Sequence, residues 1–415
     1  MSEETKSMLN TVMLDPEKCK GCITCMKRCP TEAIRVRNGK AKVLYERCVA
    51  CGECVRLCPH QAKLASFDSF EIINDYKYKI AVVAPALYGQ FNNLDDINII
   101  LNGLLEIGFD DVFEVSRAAE QVTLATKKYM QVNKYQQRPI ISTACPAVLE
   151  LILVRFHSLQ DRLLPLKAPV DIALSLARER AIAKGIKKED VGVFFISPCP
   201  AKVFALKTGM GTEKPQADGV LAISEVYKRL LPAMKNLKEI KPLATTGSLG
   251  LSWASSGGEA AGACDVKFLA ADGIENVINV LKELEDDKLQ YLDFVELNAC
   301  NGGCVGGVLN VENPFVAKAR IRALRKKLKP TATDRIAEGK DPSFYLWDKM
   351  PEVKDVFRLD ENRRVAMQKL AVIEKVLSTL PGLDCGGCGA PSCRAFAEDV
   401  AAGEVSIEDC VRVEK

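Results

Sequence analysis

Seventeen cysteines in 415 residues, against two histidines, bound the chemistry open to this chain. With only His60 and His157 present, zinc–histidine sites and histidine proton relays are disfavoured, and thiolate-bound iron is expected. The run Cys19-x2-Cys22-x2-Cys25-x3-Cys29-Pro30 recurs as Cys48-x2-Cys51-x2-Cys54-x3-Cys58-Pro59. In such paired runs the fourth cysteine crosses to the other cluster. Cys19, Cys22, Cys25 and Cys58 are therefore expected to hold one [4Fe–4S] cube, and Cys48, Cys51, Cys54 and Cys29 a second. The tight spacing wraps backbone N–H groups around the sulfurs, and the proline ends each turn. Paired zinc knuckles do not easily account for two identical four-cysteine runs.

Four further cysteines lie far apart in sequence but share a setting. Cys145 sits in STACPA, Cys199 in SPCPAK, and Cys300 and Cys304 in NACNGGC, each loop following a β-branched run. Ligands bind beyond the carboxyl ends of strands in open α/β sheets, so three such loops supply what another cubane needs. Four structural cysteines are the alternative reading of the same residues. Gly302, Gly303, Gly306 and Gly307 are expected to let backbone approach a cofactor. A third set, Cys385-x2-Cys388-x4-Cys393-x16-Cys410, suits either iron–sulfur or zinc. Only Cys264 is left over; it reads as a core thiol, with a proton-relay role the alternative.

The elements that position these residues alternate. Candidate strands are 80–84, 140–143, 191–196, 220–223, 266–270 and 294–297, with helical patterns at 95–105, 119–130, 170–183 and 276–285. The alternation predicts an α/β fold with largely parallel sheets. A helix is expected over 362–380, closed by Pro381-Gly382. The segment after Cys393 reads as a helix and a return loop that brings Cys410 back. Hydrophobic residues (48%) and charged residues (27%) are in ordinary proportion for a chain that buries a core. The net charge of +3 does not suggest a nucleic-acid partner. The basic stretch 318–329 reads as a solvated helix face, a docking patch for an acidic redox partner being the alternative. Neither a secretory signal nor a membrane span is expected, and free thiols then point to the cytoplasm.

The N-terminal repeat is that of bacterial two-cluster ferredoxins. The three strand-end loops resemble, in order, the active-site signatures of [FeFe] hydrogenases: a Cys-Pro loop, a Pro-Cys-x-x-Lys loop and an Ala-Cys-x-Gly-Gly-Cys loop. The C-terminal set resembles the small [4Fe–4S] domain of corrinoid iron–sulfur proteins and some membrane redox complexes. The resemblance implies a two-lobed iron-only hydrogenase domain with small sheets flanked by helices at 79–330. A ferredoxin-like α+β module at 1–78 precedes it; a helical linker at 331–380 and a small helical C-terminal iron–sulfur domain at 381–415 follow. It further implies that Cys145, Cys199, Cys300 and Cys304 bind a cubane, with Cys304 bridging to a di-iron subsite carrying CO, cyanide and an azadithiolate. Lys202 falls on the lysine that holds a cyanide in the family. Hydrogen and protons, a redox protein such as ferredoxin, and hydrogenase maturation proteins are the implied partners.

Three positions depart from the family pattern. Ala144 stands where a relay cysteine is usual, Ala205 where a glutamate is usual, and Asn298 where a methionine is usual. These resemble the sensory-like branch, often called group D. Alanine cannot carry a proton, so slow reversible hydrogen chemistry is expected, with Glu259, Glu225 or Cys264 as alternative relays. A hydrogen-sensing role would need a separate signalling partner. The competing reading is a hydrogenase-like iron–sulfur scaffold or electron-transfer protein without the di-iron subsite.

Overall fold

A computed structural model describes residues 10–133, 138–263, 266–330 and 340–413; Cys264 lies outside the described residues. The chain forms two compact units, Val12–Ala65 together with Val353–Lys415, and a larger one containing Ser66–Glu352.

In the smaller unit, β1 (Val12–Leu14) pairs antiparallel with β4 (Lys63–Ala65), and β2 (Ile34–Arg37) with β3 (Lys40–Val43). Each four-cysteine run contributes one short helix, Thr24–Lys27 and Glu53–Leu57. The helix Arg363–Thr379 starts where the Asn362 side chain accepts from the Arg364 and Val365 amides, and it stops before Pro381, as its sequence requires. Its Ile373 and Val376 are buried with Ala397 of the helix Cys393–Ala401.

The larger unit holds two parallel sheets. β5 (Tyr78–Val83), β6 (Asp111–Glu114), β8 (Val191–Ser197) and β9 (Gly219–Ala222) form a four-stranded sheet in the order β6-β5-β8-β9. β7 (Ile140–Ile141), β10 (Phe268–Asp272) and β11 (Phe294–Asn298) form a three-stranded sheet in the order β10-β11-β7. Strands covered on both faces read as continuous apolar runs, and all seven residues of β8 are buried. The predicted α/β architecture is therefore present, with helices Asn98–Glu106, Val115–Val132, Pro169–Ala183 and Ile274–Glu285 near the expected positions.

β7 and β10 differ from their expected bounds, and β6 was not among the expected strands. β7 ends at Ile141, whose carbonyl accepts from the Leu164 amide at 2.9 Å; just beyond, the Thr143 hydroxyl donates to the Leu164 carbonyl at 2.8 Å and the Ser142 hydroxyl to Glu259 at 2.6 Å. β10 begins at Phe268, not Val266, because the Lys267 amide bonds the Asp293 carboxylate at 2.9 Å. The basic stretch lies on the helix Pro314–Arg325, which buries Ala317, Ile321 and Leu324 and turns Arg322 and Arg325 to solvent. Among the described residues no helix is long and apolar enough to cross a membrane.

Candidate metal centres and the cavity beside Cys304

All sixteen described cysteines are free thiols, and they gather in four places. Cys29, the fourth cysteine of the first run, lines one cavity with Cys48, Cys51 and Cys54 of the second. The thiol of Cys25 is pushed up by burial, opposed by Lys63, and pushed further by Cys22, Cys58 and Cys19. Cys58 thus stands with the first run. The repeat extends to hydrogen bonding: the Ala33 amide meets Cys29 Sγ at 3.3 Å, and the Ala62 amide meets Cys58 Sγ at 3.2 Å. Cys385, Cys388, Cys393 and Cys410 line one further cavity.

Lys63 sharpens the chemistry of the N-terminal pair. It is 2% exposed, and its ammonium has no hydrogen-bond partner among the described residues. An isolated buried cation is costly unless an anionic group compensates it. A cubane with four thiolates is such a group, and Lys63 bears on Cys25, Cys54 and Cys58, so the donor set fits iron–sulfur clusters. The first repeat has Ile34 at the corresponding place. Among the described residues no group of three or more His, Cys, Asp or Glu is arranged around a single ion. A cubane asks for a different geometry, its thiolates spread over four corners.

The remaining four cysteines meet at the carboxyl ends of the two parallel sheets. β7 leads to Cys145, β8 to Cys199 and β11 to Cys300. Cys145 and Cys199 each precede a helix whose first residue is a proline, Pro146–Arg155 and Pro200–Thr208, so two helix N-termini begin at the thiols and favour negative charge there. Burial pushes the Cys199 thiol up to about 11 despite the Lys202 amide, with Cys145 adding to the rise. Burial pushes Cys304 up to about 12, helped by Cys199 and opposed by Lys202. Thiols this reluctant to ionise alone are deprotonated readily by a metal. Cys300 lies one turn before Cys304, its carbonyl accepting from the Gly303 amide at 3.0 Å.

The glycine loop also packs inside the protein. The space a side chain would need at Gly303 and Gly307 is taken by protein backbone. A Cβ at Gly303 (φ +90°) would fall 2.4 Å from the Ser256 amide nitrogen, and one at Gly307 would fall 2.2 Å from the Pro198 carbonyl oxygen. Gly307 lets the third cysteine loop close against the second, and Gly303 lets it close against Ser255 and Ser256.

A cavity opens on Cys304, lined by Ala144, Lys202, Glu259, Glu296 and Asn298. Lys202 Nζ donates to the Ala144 carbonyl at 2.8 Å, and the Asn298 amide donates to Glu296 Oε1 at 2.8 Å. Asn298 thus lines the cavity with its amide tied to a neighbouring carboxylate. Glu259 is buried and accepts from Ser142 Oγ at 2.6 Å, while the Ala144 amide donates to the same hydroxyl at 3.3 Å. Burial, then the charge of Glu296, pushes the Glu259 carboxyl up to about 8. Burial also raises Glu296, against the Ala260 and Gly257 amides that bond it. Glu225 is not part of this cavity; it is exposed on the helix Ile223–Lys235 and pairs with Lys228 at 2.7 Å.

Glu296 and Ser142 were not foreseen from sequence. A charged residue inside the apolar strand FVELN was the available signal for Glu296, since an acid in a covered parallel strand needs a partner. Ser142 carried no comparable mark.

Comparison with known proteins adds the family. Residues 77–264 and 235–308, together more than half of the chain, match the family described as the iron-only hydrogenase large subunit, C-terminal domain. Residues 11–59 match a 4Fe-4S dicluster domain, and residues 380–412 a putative Fe-S cluster family. The fold resembles that of [FeFe]-hydrogenase HydA1 from Chlamydomonas reinhardtii: one variant is 15% identical with a TM-score of 0.53, covering 68% of this chain and 95% of that one. A HydA(deltaEFG) structure concerned with stepwise [FeFe]-hydrogenase H-cluster assembly is also 15% identical, with a TM-score of 0.52 and the same coverage. A component of the ion-translocating oxidoreductase complex of Klebsiella pneumoniae is 45% identical over 49 residues, which are 12% of this chain and 26% of that protein. The chain thus spans only about a quarter of the length of that curated relative. With iron–sulfur family matches before and after this region in sequence, the chain belongs to the iron-only hydrogenase large-subunit family.

Proposed function

We propose that this protein binds an H-cluster and carries out slow, reversible oxidation of hydrogen, relaying electrons through [4Fe–4S] clusters in a redox- or hydrogen-sensing role. The observation that carries this reading is the cavity on Cys304, where Lys202, Ala144, Asn298 and two buried carboxylates face the same space. Cys145, Cys199, Cys300 and Cys304 would hold the cubane, and Cys304 would bridge to the di-iron subsite. When bound, that subsite with its CO, cyanide and azadithiolate ligands supplies the site at which hydrogen is split or formed.

The protein's own part is charge and proton handling. Lys202 offers a fixed ammonium to an anionic ligand while the Ala144 carbonyl holds its position. Ala144 places a methyl group where the usual relay thiol is missing. Glu259 supports an alternative route, because burial and Glu296 hold its carboxyl protonated near neutral pH and Ser142 connects it to the Ala144 loop. Glu259 itself lines the cavity, so a proton held on its carboxyl can be given directly to that space, while Ser142 Oγ, donating to Oε2 at 2.6 Å, fixes the carboxyl in place. Buried walls, including Val170 and Phe195, limit water near the reacting position.

Infrared spectroscopy after maturation with a synthetic di-iron cofactor tests the assignment. Bands of iron-bound CO and cyanide with slow viologen-linked hydrogen turnover are expected. A protein with all its cubanes but without those bands would be an electron-transfer or scaffold protein instead. Hydrogen-dependent cluster reduction with weak turnover is the expected mark of a sensor; fast turnover would remove the sensory reading.

A further inference from the structure

The two cysteine-rich ends of the chain, more than 300 residues apart, fold into one compact unit. Asp399 fastens them. Its carboxylate accepts from Arg35 Nε at 2.7 and 3.0 Å and from Arg37 Nη2 at 2.5 Å. Arg35 is 2% exposed and Asp399 6%. A charge pair this dry specifies one arrangement, since any displacement leaves a buried guanidinium uncompensated.

The chain segments that carry the thiols touch around this clamp. Lys27, two residues after Cys25, donates to the carbonyls of Asp384 (2.6 Å) and Pro391 (2.8 Å), which flank Cys385 and Cys393. Arg37 Nη1 donates to the Cys388 carbonyl at 3.0 Å, and the Val36 amide to the Gly389 carbonyl at 2.8 Å. Gly386 follows Cys385, and Ile23 follows Cys22; a Cβ at Gly386 would lie 3.5 Å from Ile23 Cδ1 and 3.1 Å from Met26 Cε. One layer of side chains separates the two ligand loops. On the other side Cys385 is exposed.

From these contacts we infer that the site of Cys385, Cys388, Cys393 and Cys410 exchanges electrons directly with the site of Cys19, Cys22, Cys25 and Cys58, and is the solvent-facing end of the relay. The inference rests on the reading that both sets hold cubanes. In the exchange one reduced cubane is oxidised by one electron and its neighbour is reduced by one; no bond to a light atom forms or breaks and no proton moves. The external carrier is a one-electron redox protein. Lys27, Arg35 and Arg37 place positive charge between the two sites and favour their reduced, more negative states.

The test uses the full chain, reconstituted anaerobically with iron and sulfide and reduced with dithionite. Iron and sulfide are counted, and electron paramagnetic resonance follows the relaxation of the N-terminal signals. Expected is a fast-relaxing, spin-coupled signal that becomes several-fold easier to saturate when Cys410→Ala removes the C-terminal cluster. Asp399→Asn should weaken the coupling with cluster content unchanged. If that variant does not fold, Lys27→Ala, which removes only the contact to Asp384 and Pro391, should weaken it in the same direction. Both clusters present but magnetically independent in the parent protein would overturn the direct exchange alone. A parent protein lacking either cubane would overturn the cluster reading beneath it.

Discussion

Replacing Glu259 by glutamine tests the proton route with little change in shape. Glutamine keeps an oxygen that accepts from Ser142 Oγ, now at 2.6 Å, but cannot hold or release the proton. A general acid is worth about 10²–10⁴ in rate, or about 2.7–5.4 kcal/mol of barrier. Glu259→Gln is expected to slow viologen-linked proton reduction by that factor while the CO and cyanide infrared bands stay intact. The pH profile should change as well. The Glu259 carboxyl stays protonated up to about 8, so activity should fall above that pH in the parent and lose this alkaline limb in the variant. Stability supplies an independent readout. The folded protein keeps this proton from the ordinary value of 4.5 up to about 8, whereas the unfolded chain releases it near 4.5. The folded state binds more protons across that window, so its stability falls as pH rises through it. Chemical denaturation of Glu259→Gln should show a flatter dependence from pH 5 to 8. A variant with parental rate and parental pH profile would refute the route through Glu259.

Ala144→Cys restores a thiol beside the cavity; if the missing relay limits the rate, viologen-linked turnover should rise by up to about 10², and an unchanged rate would place the barrier elsewhere. Lys202→Ala removes the cavity's ammonium and its 2.8 Å bond to the Ala144 carbonyl; the CO and cyanide bands should weaken while cubane iron is retained. Lys63→Ile puts the residue of the first repeat into the second and removes a buried, unpartnered cation; at least one N-terminal cluster should become harder to reduce in a potentiometric titration, and unchanged potentials would mean that the ammonium does not act on them. Gly307→Ala drives a methyl to 2.2 Å from the Pro198 carbonyl; a melting-temperature loss corresponding to about 1–3 kcal/mol is expected, with less iron at the Cys145, Cys199, Cys300 and Cys304 site.

Much of the fold could be read directly from residue order. The apolar runs of β5 and β8 announced themselves because both faces of those strands are covered. β6 escaped because DVFE is a four-residue edge strand with two acids, and only alternate residues are buried. Glu259 was one of three candidates by sequence, and Cys264 lies outside the described residues. Burial separated Glu259 from Glu225, because a helix carboxylate paired with a lysine at the surface does not reach the cavity that Glu259 lines.

The sequence by itself determined the thiol sets and their order, because ligand spacing within a run is a local property of the chain. It also located the strand-end loops, since β-branched runs mark strands before any packing is known. Tertiary structure decided what surrounds those thiols. Glu259 meets Ser142 across 117 residues, and Asp399 meets Arg35 across 364. Such pairs leave no periodic trace in sequence, because a buried charge is matched by whichever group the fold brings within hydrogen-bond reach.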